Sequence, residues 1–360
     1  MKDGPLSVVV LGTGLIGTSV ALAARASGHR VALGDTNPAH LQTAISMGAG
    51  LALRPDSAAA VPVDLVVVAV PPSSAAQVVA EALRLFPDAT VTDVASVKSP
   101  VVAALIDRGS PVARFVPGHP MAGRETSGPQ AASAELFRGR LWLLTPTAET
   151  DRSRTAQVAA FVRSTGASVR VMPIDEHDEA VALTSHAPQV VSSLMAARLA
   201  GADPELVSVA GQGLRDVVRI AGSDPALWSD ILTANASQVT PVLAALRDDL
   251  DSVVSALTQQ DSEPRIAEVM VRGNAGARML PAKHGGVAAD YVDVPVEVKD
   301  EPGSLGQVFL AAAEAGINLE DVRIEHTVGR QTAIAHLYVV PNLAAQLGDA
   351  LAAAGWLVLA

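Results

Sequence analysis

The stretch Ser7-Val8-Val9-Val10-Leu11-Gly12-Thr13-Gly14-Leu15-Ile16-Gly17 decides the fold of the first part of the chain. Its β-branched start predicts a strand buried on both faces, and the Ala-rich sequence that follows predicts a helix to about Ala26. Between strand and helix, Gly12 suits a tight turn, Gly14 admits a pyrophosphate, and Gly17 allows close helix packing. The pattern indicates a dinucleotide-binding domain, the alternative being a tight turn in an unrelated α/β domain.

An acidic residue follows the second predicted strand, Arg30 to Leu33. Asp35 lies where a carboxylate would accept a hydrogen bond from a ribose 2′-hydroxyl and would repel a 2′-phosphate, so NAD is favoured over NADP. The cofactor-binding residues expected here are Gly12, Thr13, Gly14, Leu15, Ile16, Gly17, Asp35, Val70 and Pro71.

Strands and helices keep alternating, which predicts an α/β Rossmann-type domain over residues 1–172. We expect strands at 64–70, 90–93, 140–145 and 168–172, with helices at 73–85 and 152–164 and one beginning after Ser99. Ser73 or Ser74 is the predicted N-cap of one helix, and Ser99 that of another. Ser96 lies at a strand's carboxyl end, where it could contact a ligand or bond its own backbone. Lys98 could meet a phosphate or carboxylate, or remain a solvated charge.

The segment Gly118-His119-Pro120-Met121-Ala122-Gly123 predicts a short loop framed by glycine and proline. Such a loop can hold an imidazole in a cleft, because Gly and Pro permit or fix backbone geometry that other residues do not. We interpret His119 as the catalytic base of a dehydrogenase. The alternative is a surface loop with a solvated histidine.

Helical spacing replaces the strand pattern over residues 173–282. Pro188 predicts a kink beside His186. Arg219, if buried, needs a partner, which could be Asp216 or a substrate carboxylate. The cluster Asp175-Glu176-His177-Asp178 lacks a recognised metal-ligand spacing, so no metal site is predicted.

A Gly-containing linker at 283–289 precedes a third pattern over residues 290–360. The order of predicted elements there is β-α-β-β-α-β, the ferredoxin-like plan. The segment carries no acid–base constellation, which favours a regulatory or oligomerising domain.

The composition excludes several classes of protein. The formal net charge of −11 argues against nucleic-acid binding, which needs a basic surface. The chain has no cysteine, which excludes disulfides and thiolate sites and fits a cytoplasmic location. Glycines and hydroxyl side chains interrupt the apolar run from Leu6 to Ala24, so it is not read as a signal sequence, and no other run predicts a membrane span.

Several motifs taken together resemble the prephenate dehydrogenases of tyrosine biosynthesis, a group that includes arogenate dehydrogenases. The motifs are Gly12 to Ser19, Asp93 to Ser99, Gly118 to Gly128, Thr184 to Pro188, and Leu214 to Ala221 with Trp228. The tail resembles an ACT domain, a small amino-acid-sensing module. The resemblance implies a Rossmann domain, a helical dimerisation domain and an active site between them, in a homodimer that uses NAD.

The resemblance also implies roles for individual residues. His119 matches the catalytic histidine at the substrate's ring hydroxyl, and Ser96 matches a serine that contacts the same hydroxyl. Arg219 matches an arginine that binds a substrate carboxylate. Further substrate residues are His186, Glu125, Asp216 and Trp228, together with Gln189, which stands where the family has a histidine. That departure leaves prephenate and arogenate both open as substrates.

The chemistry suits these residue types. Hydride loss from C4 of a cyclohexadienol builds carbonyl character on its oxygen, and a neutral imidazole can accept the hydroxyl proton. Loss of the ring carboxylate as carbon dioxide makes the ring aromatic, so the protein mainly has to orient the substrate.

In the tail, an aromatic amino acid is the expected effector, at the turn near Gly303 and at Asn318.

Two other functions compete with this interpretation. A β-hydroxyacid dehydrogenase shares the architecture but relies on a lysine from the helical domain, and this chain has no lysine between Lys98 and Lys283. A non-catalytic sensor of NAD and an amino acid is the second alternative. The occurrence of His119 and Arg219 in separate segments argues against it.

Overall fold

The computed structural model describes residues 4–53, 62–124, 126–259, 263–280, 291–326 and 331–359. Contacts within the chain define two units, Met1–Arg247 and Asp248–Ala360. The predicted linker at 283–289 and the predicted substrate residue Glu125 lie outside the described residues.

The first unit is built on a six-stranded parallel sheet. Its strands are β1 (Ser7–Leu11), β2 (Arg30–Gly34), β3 (Leu51–Ala52), β4 (Leu65–Val68), β5 (Thr90–Asp93) and β6 (Phe115–Val116). The order across the sheet is β3-β2-β1-β4-β5-β6. Successive strands are therefore added on one side of β1 up to β3 and on its other side from β4 onward. This reversal opens a crevice at the carboxyl ends of β1 and β4, where ligands bind in such sheets.

Five helices cover the two faces of this sheet: α1 (Leu15–Ala26), α2 (Pro38–Ser46), α3 (Pro72–Leu85), α4 (Ser99–Asp107) and α5 (Arg152–Ser164). Val20 of α1 and Val158 of α5 belong to one buried cluster. Val79 of α3 and Leu105 of α4 belong to the other. Both faces of the strands are consequently buried, as their continuous apolar sequences predict.

Two predicted helix caps are wrong, by two or three residues in α3 and by one residue in α4. Helix α3 begins at Pro72, before Ser73 and Ser74, because proline is tolerated in a first turn. Helix α4 begins at Ser99 itself. The carboxylate of Asp178 accepts from the main-chain N–H groups of Lys98 (2.9 Å) and Ser99 (2.8 Å), so a distant residue satisfies donors that a local cap would otherwise take.

His119 lies in a strand, and the prediction of a loop is wrong. Strand β7 (Gly118–Pro120) pairs antiparallel with β8 (Leu141–Leu144), which pairs parallel with β9 (Ser168–Val171). His119 is opposite Leu143. The strand is so short and so flanked by Gly and Pro that its sequence carries no period-two pattern, and Pro120 is tolerated because β7 is an edge strand.

Helices follow β9: α6 (Ile174–Val181), α7 (Ala187–Leu199), α8 (Pro204–Ser208), α9 (Gln212–Val218), α10 (Pro225–Ala234) and α11 (Ala236–Leu257). A π-helical turn, Ala182–His186, joins α6 to α7. It lies where Pro188 predicts an interruption, since proline lacks the N–H that would continue regular bonding.

The second unit contains α12 (Glu263–Ala277) and a four-stranded sheet with two helices. The elements are β10 (Val292–Lys299), α13 (Ser304–Glu314), β11 (Asp321–His326), β12 (Thr332–Val339), α14 (Ala344–Ala353) and β13 (Leu357–Val358). The strand order is β11-β12-β10-β13, with antiparallel neighbours. Within the described residues of both units, no helix is long and apolar enough to cross a membrane.

Candidate active site

The glycine-rich turn after β1 leaves no room for side chains at two positions. Gly12 has a φ of +95°, and a Cβ there would lie 2.3 Å from the carbonyl oxygen of Ala69. A Cβ on Gly17 would lie 1.9 Å from the carbonyl oxygen of Gly12. Gly14, in contrast, has no neighbouring atom within 4 Å of its Cβ position. The turn is thus tightly packed at Gly12 and Gly17 and open at Gly14. This arrangement fits a dinucleotide pyrophosphate at the N-terminus of α1.

Asp35, at the end of β2, holds this turn in place. Its Oδ2 atom accepts from the main-chain N–H (2.5 Å) and the hydroxyl (2.7 Å) of Thr13, and its Oδ1 atom accepts from the main-chain N–H of Asn37 (2.7 Å). Burial raises the pKa of the Asp35 carboxyl, but the hydrogen bonds from Thr13 and Asn37 outweigh it and leave the pKa below its ordinary value. The carboxylate is therefore charged at neutral pH and keeps acceptor capacity for a ribose hydroxyl.

The other predicted cofactor residues border the same crevice. Leu15 and Ile16 form the first turn of α1, and Val70 and Pro71 lie between β4 and α3. Ser96 is half-buried in the connection from β5 to α4, at the same edge of the sheet. All of these residues lie at the carboxyl ends of the parallel strands.

His119 belongs to a buried chain of three side chains. Its Nδ1 atom lies 2.9 Å from Nε2 of His177, whose Nδ1 atom lies 2.8 Å from Oδ1 of Asp178. A carboxylate only accepts, so Nδ1 of His177 carries the hydrogen. In neutral His177 the Nε2 lone pair then accepts from Nδ1–H of His119. This tautomer leaves Nε2 of His119 as an acceptor, and no described residue donates to it.

The buried pair Lys98 and Asp93 fixes the strand that carries His119. The Lys98 ammonium donates to the carboxylate of Asp93 and to the carbonyl oxygen of Gly118 (2.7 Å). The main-chain N–H of Gly118 donates to the other oxygen of Asp93 (3.1 Å). Lys98 therefore meets a carboxylate, and the alternative of a solvated charge is wrong, because both side chains are fully buried.

Burial and the nearby Lys98 ammonium keep His119 neutral. Burial lowers the pKa of His119 well below its ordinary value, and His177, Lys98 and His186 lower it further, against the opposing effect of Asp178. A neutral imidazole with a free Nε2 lone pair can take a proton from a hydroxyl group.

His186 lies in the same cluster. It is buried, with Nδ1 3.1 Å from Nδ2 of Asn235, and its ring makes an edge-on contact with Trp228 (6.0 Å between centroids). Burial lowers the pKa of His186 to about 4, and His177 adds to this effect, although Asp178 opposes it. The predicted residues His119 and His186 are thus both linked to Asp178 through hydrogen bonds, and Trp228 contacts the ring of His186.

The remaining predicted substrate residues that the structure describes are one buried and two exposed side chains. Gln189 is buried, and its Nε2 atom donates to the carbonyl oxygen of Ile220 (3.0 Å), beside Arg219. Arg219 and Asp216 are exposed in the single chain, and Asp216 accepts from Nε2 of Gln212 (2.8 Å). The sequence predicts a partner for Arg219 only if its side chain is buried, and in the single chain it is exposed.

Sequence reasoning missed the supporting residues Asp93, His177, Asp178 and Asn235, and it left the role of Lys98 open. The spacing of Asp175 to Asp178 in the sequence indicates no role for these residues. In the part of the chain that the structure describes, no His, Asp and Glu side chains are grouped to hold a metal ion. An available signal was the placement of Asp93 and Lys98 on either side of a strand end, where an isolated lysine needs a partner if buried.

Two domain matches together cover most of residues 20–272, which include the histidine cluster and Asp35. Residues 20–171 match the nucleotide-binding domain of prephenate dehydrogenase, and residues 173–272 match its dimerization domain. The chain belongs to the prephenate dehydrogenase family. The family predicted from the motifs is therefore confirmed, as are its dinucleotide-binding and helical domains.

Individual relatives agree with this assignment. The probable prephenate dehydrogenase NovF of Streptomyces niveus is 35% identical over 328 residues, which are 88% of this chain and 90% of NovF. The structure of A. aeolicus prephenate dehydrogenase with hydroxyphenyl propionate and NAD+ superimposes with a TM-score of 0.68, at 27% identity, over 78% of this chain and all of that one. Synechocystis arogenate dehydrogenase gives a TM-score of 0.63, at 26% identity, over 76% and 99% of the two chains.

Proposed function

We propose that this protein is an NAD-dependent dehydrogenase that oxidatively decarboxylates a cyclohexadienol, prephenate or arogenate, in tyrosine biosynthesis. The observation that carries the proposal is the Nε2 acceptor of buried, neutral His119, to which none of the described residues donates, in a family member with a dinucleotide-binding turn. The products are 4-hydroxyphenylpyruvate from prephenate or tyrosine from arogenate, with carbon dioxide and NADH.

The glycine turn and Asp35 would hold the NAD. The steric exclusion of side chains at Gly12 and Gly17, the open space at Gly14 and the charged carboxylate fit this cofactor. NAD supplies an acceptor for the hydride that leaves C4 of the substrate. All other chemistry falls to residues of this chain.

His119 accepts the proton of the C4 hydroxyl while the hydride leaves C4. The positive charge that this creates is stabilised through His177 by the Asp178 carboxylate, as one network of hydrogen bonds. The bond from C1 to the ring carboxylate then breaks, its electron pair completes the aromatic ring, and carbon dioxide leaves. The proton returns from His119 to the phenolate oxygen, which regenerates the neutral base.

The remaining substrate contacts are proposed from the family motifs. Ser96 would contact the ring hydroxyl with His119, and Arg219 would bind a substrate carboxylate. Its exposure in the single chain leaves it accessible to a ligand or to a second chain. Glu125, His186, Gln189, Asp216 and Trp228 would complete the substrate site.

A rate comparison tests the proposal. Purified protein is supplied with prephenate or arogenate, each with NAD and with NADP, and NADH formation and the aromatic product are measured. We expect turnover of at least one substrate with NAD. Absence of turnover with all four combinations would refute the enzyme assignment and favour a non-catalytic sensor.

We also propose a homodimer and a cytoplasmic location. Residues 173–272 match a dimerization domain, and the same helical segment exposes apolar side chains that a second copy would cover: Leu183, Leu194, Leu206 and Val209. Light scattering coupled to gel filtration would give the mass of the particle, and a monomer would contradict the dimer.

The C-terminal residues 290–360 are proposed as an ACT-like regulatory domain after a linker at 283–289. The β-α-β-β-α-β order and a cavity of about 160 Å³ next to Gly303 support this. Asn318 instead donates to Glu320 (2.9 Å). Binding of tyrosine or another aromatic amino acid, measured by calorimetry, would test the effector, and absence of any binding would leave the domain structural.

A further inference from the structure

Asn235 links Asp178 to His186. It is buried at the C-terminal end of α10, and its Nδ2 atom donates to the main-chain carbonyl oxygen of Asp178 (2.8 Å). The same Nδ2 atom lies 3.1 Å from Nδ1 of His186. A carbonyl oxygen only accepts, so the contact with Asp178 fixes which end of the Asn235 amide is the nitrogen.

This orientation determines the tautomer of His186. The second hydrogen of the amide nitrogen points to Nδ1 of His186, which must therefore be an acceptor. The single hydrogen of the neutral imidazole is then on Nε2. His186 is the last residue of the π-helical turn, and its ring also contacts Trp228.

We propose that Asn235 is a positioning residue that keeps His186 in its Nε2–H form, so that His186 donates a hydrogen bond to a carboxylate or keto oxygen of the substrate. The substrate contact rests on the proposed function, whereas the tautomer rests on the hydrogen bonds alone. Neither the family motifs nor the sequence pattern singled out Asn235.

The Nε2 atom of His119 is then a hydrogen-bond acceptor and that of His186 a donor, although both imidazoles are neutral. Asp178 sets both: its side chain makes Nε2 of His119 an acceptor through His177, and its main-chain oxygen makes Nε2 of His186 a donor through Asn235. A substrate that combines a hydroxyl group with an anionic or keto oxygen offers one partner to each. A site with two acceptors or two donors would not discriminate in this way.

The tautomer can be measured without any activity. The protein is labelled with ¹⁵N-histidine, and long-range ¹H–¹⁵N spectra distinguish Nε2–H from Nδ1–H imidazoles. The His186 signals are assigned by their loss in His186→Gln. We expect the Nε2–H pattern in the wild-type protein, and an Nδ1–H pattern would overturn the proposal.

Variants test the effect on the substrate. In Asn235→Asp a carboxylate replaces the donor, so His186 turns its hydrogen to Nδ1 and presents a lone pair to the substrate oxygen. We expect KM for the substrate to rise about tenfold to a hundredfold, as for loss of a hydrogen bond to a charged group, with a smaller change in kcat. Asn235→Ala, which removes the preference without reversing it, should have an intermediate effect.

Asn342→Asp is the matched control, because it makes the same charge change at an exposed site in the second unit. Melting curves establish that each variant is folded. A folded Asn235→Asp enzyme with wild-type KM would overturn the substrate contact. If the wild-type protein shows the Nε2–H pattern but turns over neither substrate, the proposed function fails while the tautomer assignment stands.

Discussion

Nδ1 of His119 lies 2.9 Å from Nε2 of His177, and this contact joins the short strand β7 to helix α6. Because the Asp178 carboxylate accepts from Nδ1 of His177, Nε2 of His177 is the acceptor for Nδ1–H of His119. The only imidazole nitrogen of His119 left for a substrate is then a proton acceptor.

Replacing His119 with Asn removes the proposed base. We expect His119→Asn to lower kcat by about 10²- to 10⁴-fold, the usual contribution of general base catalysis, while NAD affinity stays near wild type. Steady-state kinetics and calorimetric NAD binding provide the two measurements. His336→Asn, on β12, is the matched control. A rate for His119→Asn close to that of the control would remove His119 from the mechanism.

Asp178→Asn tests the far end of the chain. The carboxylate accepts from Lys98, Ser99 and His177 with its two oxygens, whereas an amide has only one accepting oxygen. One donor therefore loses its partner, and His177 is free to take the other tautomer. We expect kcat to fall at least about tenfold, part of the full contribution of the base, with little change in KM for NAD. The exposed Asp349→Asn is the control. An unchanged kcat in a folded Asp178→Asn protein would contradict the relay.

The lowered histidine pKa values predict how stability depends on pH. The unfolded chain binds protons on His119 and His186 near pH 6.5, whereas folded His186 does so only near pH 4 and folded His119 well below its ordinary pKa. Since the unfolded state binds more protons in this window, the free energy of unfolding must fall as the pH drops from about 6.5 toward 4. Urea unfolding at a series of pH values measures it. His186→Gln should show a shallower fall, and an equal slope would argue against the buried neutral imidazole.

Gly118→Ala tests the support of the catalytic strand. A Cβ there would lie 2.9 Å from the carbonyl oxygen of Asp93, 3.0 Å from Nε1 of Trp142 and 3.1 Å from Oγ1 of Thr92. Overpacking of this kind costs about 1–3 kcal/mol, and a shifted β7 would also lower kcat. Denaturant unfolding and kinetics provide the measurements. Gly273→Ala, in helix α12 with open space around it, should not destabilise the protein. Equal stability of the two variants would show that the strand can adjust.

Asp35 has two functions that variants can separate. Asp35→Asn removes the charge that repels a 2′-phosphate, so we expect NADP to gain relative to NAD in kcat/KM. Thr13→Val removes only the hydroxyl bond to Asp35 and should raise KM for both cofactors alike. An unchanged NAD/NADP ratio in Asp35→Asn would mean that the carboxylate only supports the turn.

Local sequence was sufficient for the central strands of the parallel sheet, whereas the short edge strand β3 and helix α2 were not predicted. The apolar β-branched runs specify buried strands, and Gly12 and Gly17 after β1 are required by contacts that admit no Cβ. The boundaries were less predictable where the deciding partner is distant. Helix α4 begins at Ser99 because Asp178 accepts from its first N–H groups, and neither residue's neighbours in sequence reveal that contact.

The sequence by itself determined the dinucleotide-binding turn, the acidic residue after β2, the succession of elements and the family, because backbone preference and hydrophobic period are local properties of the chain. Only the tertiary structure decided what His119 can do. His177 is 58 residues away from it, and the chain of acceptors through Asp178 and Asn235 exists only where β7, α6 and α10 meet. Proton positions on imidazoles depend on such partners, and so the chemistry of the two histidines was set by packing.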